Sequence, residues 1–180
     1  MKKTLHYCLA TLLLTLLTVQ VQAQEDKAKR PSPPAEATGT VDGVDITIDY
    51  SQPSVKGREI FGGLVPYGKV WRTGANEATT FEASGDVTIE GEALPAGKYA
   101  LFTIPNEDEW TVIFNKQPEQ WGAFDYDESQ DALRVDVKPE TTDEPIEQLT
   151  FDIDNDGKVS MMWADQKVSF DVASVGQASN

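Results

Sequence analysis

Four stretches towards the C-terminal end place apolar residues at every second position. They are Leu133/Val135/Val137, Leu149/Phe151/Ile153, Val159/Met161/Trp163 and Val168/Phe170/Val172. Side chains of a strand point alternately to its two faces, so each stretch has one apolar and one polar face. Such strands are stable only where two apolar faces meet. VDITIDYSQP adds Val44, Ile46 and Ile48 on one face, GDVTIEGEALPAGKYALFTIP reads as strand, Gly/Pro turn and strand, and WTVIFNK follows. Asn155, Asp156 and Gly157 join two alternating runs as a short hairpin. Short strands between Gly, Pro, Asn and Asp turns predict an all-β fold. The expected form is an antiparallel β-sandwich, jelly-roll-like or Ig-like, with a closed barrel as the alternative. The one helical hint is QPEQWGAFDY, 117–126.

The N-terminal end reads differently. Lys2 and Lys3 precede a Leu-rich run, and Val21 and Ala23 form a V-x-A pattern, so residues 1–23 are expected to be a signal peptide cleaved after Ala23. The run is shorter than a spanning helix requires. Periplasmic or secreted localisation follows as an expectation, with no membrane span left after cleavage. Residues 24–40 are charged and Pro-rich, which predicts a disordered linker. The folded domain is expected over 41–172 and a flexible tail over 173–180.

Composition removes several chemistries. Cys8 and His6 are the only residues of their types, and both lie in the expected leader. Without them there is no Ser-His-Asp relay, cysteine nucleophile, disulfide or Cys/His zinc site. No cofactor is indicated. The sequence holds 15 Lys+Arg against 30 Asp+Glu. An excess of that size excludes nucleic acid and anionic membrane surfaces as natural partners.

Four sets of residues remain as candidate sites. Asp152, Asp154 and Asp156 occupy the first, third and fifth positions of a calcium-loop pattern, with Gly157 at the sixth. The twelfth position is Trp163 rather than a glutamate, so this is a weak calcium candidate beside the hairpin reading. Among the carboxylates, Glu77 stands out because Arg72 is its only charged neighbour, and Asp125 and Asp127 follow Trp121. Trp71, Trp110, Trp121, Tyr67, Phe124 and Tyr126 could stack on sugars or fill the core. KVWRTGANEAT, 69–79, gathers a cation, an amide and a carboxylate beside a Trp. Either Arg72 and Glu77 pair across a TGAN turn, or Arg72, Asn76 and Glu77 grip a ligand.

SQPSVKGREIFGGLVPYGKVWRTGANEAT, with LPAGKYALFTIP, EWTVIFNK and QWGAFDY, resembles domain of unknown function family 2911, a family of secreted bacterial proteins. The resemblance spans roughly 48–172. It implies a compact β-rich exported domain and carries no activity, substrate or catalytic residue.

These readings lead to one expectation and two alternatives. The first is a non-catalytic module, ligand-binding or envelope-associated, for a carbohydrate or small polar molecule, with Trp71, Arg72, Asn76, Glu77 and Trp121 as its site. The others are a carboxylate-dependent hydrolase using Glu77 and Arg72, and a structural scaffold that binds another protein.

Overall fold

The computed structural model describes residues 27–175. The expected signal peptide and the last five residues of the expected tail lie outside the described residues. Ten strands form two antiparallel sheets. The larger orders β1 (Pro34–Val41), β2 (Val44–Ser51), β3 (Thr79–Ala83), β6 (Gly97–Ile104), β7 (Trp110–Asn115) and β8 (Asp131–Val137). The smaller orders β5 (Glu92–Leu94), β4 (Val87–Ile89), β10 (Lys158–Ser174) and β9 (Pro139–Ile153). The sheets do not close on each other, so the fold is the sandwich and not the barrel.

The period-two residues do what their spacing requires. Ile46 and Ile48 from β2 meet Leu149 and Phe151 from β9 and Val159, Met161 and Trp163 from β10 in one core. Trp71, Trp110, Trp163 and Phe61 form its aromatic end, with Trp71 and Trp163 stacked at 5.8 Å. β6 and β7 obey a second rule. Their inner faces join the main core, while Ala100, Phe102 and Ile113 form a separate buried cluster with Ala78 on the opposite face. Burial on both faces explains why ALF and VIF read as unbroken apolar runs.

Segment 117–126 covers that outer cluster, with Ala123 and Tyr126 packed against it. It contains no helix, which corrects the hint read from its sequence. Only Glu128–Gln130 makes a 3-10 turn, with Asp127 accepting a hydrogen bond from the Ser129 amide. Asn115, fully buried at the end of β7, fastens the segment. Its Nδ2 donates to the Asp127 carbonyl and to Asp131, and its Oδ1 accepts from the Gln117 amide and from Gln120. Polar anchors of this kind suit an irregular segment, which has no strand ladder to satisfy its backbone.

Two boundaries differ from the sequence reading. The domain starts before residue 41, because Pro34–Val41 pairs with β2 in register from Pro34↔Ser51 to Val41↔Val44. PAEATGTV has little apolar content, but an edge strand needs only its backbone ladder and a half-buried face. Likewise, β10 runs to Ser174. VSMMW and KVSFDV, read as two strands, form this one element and lie against each other. Ser160 Oγ is 2.9 Å from Ser169 Oγ, and Lys158 Nζ is 2.8 Å from Asp171. Ala164, at φ 54°, marks the reversal.

The hairpin explanation of Asp152, Asp154 and Asp156 is the one realised. Asp154 Oδ1 accepts the amides of Asp156 and Lys158. Gly157 has φ 87°, and a Cβ there would run into the Val172 carbonyl oxygen. Among the described residues, no group of three Asp, Glu, His or Cys is gathered to hold a metal ion.

Candidate functional site

The turn after Trp71 is over-determined. Trp71 bridges to Thr103 of β6, and its indole Nε1 donates to the Gly74 carbonyl. Thr73 is buried at φ 54°, a strained conformation for a β-branched residue. Its hydroxyl lies 3.1 Å from that of Thr103, and its carbonyl accepts from Thr79 Oγ1 at 2.8 Å. A Cβ on Gly74 would come within 2.9 Å of Thr79 Oγ1 and 3.2 Å of the Ser51 carbonyl, so a larger residue would displace Thr79 from its hydrogen bond to Thr73. Strain held in place this firmly is a feature of functional sites.

The turn divides the expected site in two. Glu77 and Trp121 form an isolated antiparallel bridge, flanked by hydrogen bonds from Ala78 N to Gln120 O and from Gly122 N to Asn76 O. Residues 44 apart in sequence therefore stand side by side. Both border a cleft of about 430 Å³ between β2, β3, the 118–121 loop and the N-terminal segment 27–34. Trp121 is 54% exposed at its edge. Trp71, Arg72 and Asn76 instead line a second cavity of about 330 Å³ on the other side.

The Arg72–Glu77 pair does not form. Glu77 binds Arg30 at 2.7 Å and Lys27 at 3.2 Å. The Arg30 guanidinium in turn lies 5.8 Å from the Trp121 ring centroid. Arg30 and Lys27 belong to the stretch read as linker, so the sequence concealed the true partners. Burial alone would raise the Glu77 carboxyl. Hydrogen bonds from its own backbone N–H, Arg30 and Lys27 outweigh burial and hold the pKa below the ordinary carboxylate value. An ionised Glu77 is an acceptor, not a waiting acid, and the charge stabiliser the hydrolase reading required is elsewhere. Asp125 and Asp127 are exposed on the outer segment, away from this cleft.

The lowered pKa has a consequence for stability. A carboxylate with a depressed folded pKa stabilises above its unfolded value of 4.5 and loses that contribution as pH falls through the folded pKa. The urea midpoint of the wild type should exceed that of Glu77→Gln by the equivalent of about 0.5–1 kcal/mol at pH 7, a size typical of partly exposed pairs. The difference should shrink as pH falls below 4.5 and through the lowered folded pKa. A gap that does not narrow at all as the pH is lowered into the acid range would contradict this origin.

The aromatic candidates also separate. Trp71 and Trp110 are core residues, 8% and 1% exposed, which corrects Trp71 as a stacking platform. Trp121, Phe124 and Tyr67 are exposed. Tyr126 is half-buried, its hydroxyl 2.7 Å from Asp131 and 2.6 Å from Arg134. Burial and Asp131 push its phenol up to about 12 against the opposing Arg134, so it remains a neutral tether for the outer segment. Asn76 has a mainly structural task. Its Nδ2 donates to the Ser32 carbonyl and to Ser51 Oγ, holding the N-terminal segment to β2. Lys98 and Asp49, which no local pattern marks, pair at 3.0 Å on the far side of the first cleft.

Fold and geometry together define a class: a two-sheet antiparallel sandwich with ligand-sized cavities flanking one rigid turn. The chain belongs to the Protein of unknown function (DUF2911) family, which it matches over residues 32–172. No curated protein and no solved structure matches it. Among the described residues, no helix is long and apolar enough to cross a membrane.

Proposed function

We propose that the protein is an exported, non-catalytic binding module that takes a carbohydrate or similar hydroxyl-rich molecule in the cleft beside Trp121. One observation carries this reading: an exposed indole stands next to an ionised carboxylate at the edge of a cleft of about 430 Å³. A sugar offers an apolar C–H face to an aromatic ring and hydroxyls to charged acceptors and donors. Trp121 supplies the first surface. Glu77, Asp49 and Lys98 supply the second.

A glycan array probed with the purified protein tests the proposal. Binding to one glycan class is expected, and Trp121→Ala should weaken it about tenfold, equivalent to roughly 1.4 kcal/mol. Silence across the array, or binding untouched by Trp121→Ala, would defeat it. Cell fractionation for the mature chain in the periplasm or medium tests export separately.

A further inference from the structure

The second cavity differs in charge from everything around it. The protein carries twice as many acidic as basic side chains. Yet Arg58 and Arg72 both line this cavity, and no Asp or Glu does. The first cleft, in contrast, mixes Lys27, Arg30 and Lys98 with Asp49, Glu77 and Glu119.

Neither arginine is neutralised among the described residues. Arg58 is held in place by neutral carbonyls: its Nε donates to Val55 O at 3.0 Å and its Nη2 to Ser54 O at 2.5 Å. Arg72 is half-buried, and its Nε is shut away without an acceptor. Trp163, 1% exposed, lines the same cavity, and its indole Nε1 is also an orphan donor. A buried donor without an acceptor is unfavourable, and a charged one more so. Both belong to residues that line one cavity, and neither finds an acceptor among the described residues.

We propose that this cavity binds the oxyanion of a small molecule, a carboxylate or a phosphate, between Arg58 and Arg72. Planar guanidinium groups match both anions, each able to make paired N–H···O bonds. Leu64, Val65 and Trp71 form an apolar wall for the neutral part of the ligand. The site is separate from the Trp121 cleft, so it stands or falls independently of the carbohydrate reading.

Calorimetric titration of the purified protein with inorganic phosphate and with succinate, at low salt, tests this. At least one should bind, and which one does distinguishes phosphate from carboxylate ligands. Arg72→Gln and Arg58→Gln should each weaken binding about tenfold or more, since each removes a charge-assisted hydrogen bond. Trp121→Ala should leave it unchanged. Arg58 is exposed, so its variant keeps the fold even if Arg72→Gln does not. No heat with either anion at 10-fold molar excess and above, up to about 50 mM (the range of a weak millimolar site), would overturn the proposal. Undiminished binding in Arg58→Gln would overturn it equally.

Discussion

Phe102→Ala should destabilise the protein by about 3–5 kcal/mol, read as a shift of the urea midpoint at unchanged slope. The ring is fully buried on the outer face of the larger sheet and meets Tyr126 edge-on at 5.1 Å. Its removal opens a cavity between β6 and the covering segment. Asn115 and the Tyr126–Asp131–Arg134 group still hold that segment, so the variant should fold. The covering segment also carries Trp121, so glycan binding should fall along with stability. A midpoint shift equivalent to under about 1 kcal/mol would mean that the segment collapses into the gap and is not fixed in place.

Arg72→Met should leave the protein at least as stable as the wild type, and up to about 2 kcal/mol more so. Methionine keeps the apolar stem and removes a charge that no described carboxylate balances. Burial already pushes the Arg72 guanidinium pKa down, a sign that the folded protein disfavours the charge. The gain is bounded because the side chain is only half-buried. A loss of about 3–5 kcal/mol would instead reveal a buried ion pair, and the orphan donor would not be one. A residue retained against stability is retained for another purpose, and stability–function exchange of this kind is common at binding sites.

Much of the fold was legible because alternation is local. Ile46, Phe151, Trp163 and Phe170 could be assigned to an apolar face from neighbours two positions away, and all are buried. β3, TTFEA, escapes a reading by alternation because four of its five positions are polar or small, though Phe81 is fully buried. β1 reads as linker because it lies in a Pro-rich, charged stretch, and its ladder to β2 leaves no mark in composition.

The site was half legible for the same reason. Glu77 and Trp121 could be chosen singly, as an isolated carboxylate and a Trp in an irregular segment. Their bridge depends on pairing across 44 residues, which no local pattern encodes. The expected Arg72–Glu77 contact assumed that near neighbours pair. Arg30 reaches Glu77 from 47 positions away and displaces that arrangement.

β6 and β7 lie inside their sheet, with β3 and β8 as outer neighbours, and both of their faces are covered. Amide protons on such strands exchange with solvent only when the whole domain opens. Those of Phe102, Ile113 and Phe114 should therefore be the last to take up deuterium. The Trp121 segment is bolted directly to this slow layer. The opposite wall, Lys27–Ser32, is held by the Glu77 ion pairs, the Asn76 amide and the Arg30 guanidinium over Trp121, with no strand ladder, so it should breathe first. On the carbohydrate reading proposed above, a ligand would then enter where the N-terminal wall gives way, with the indole as a fixed gauge against which it is measured.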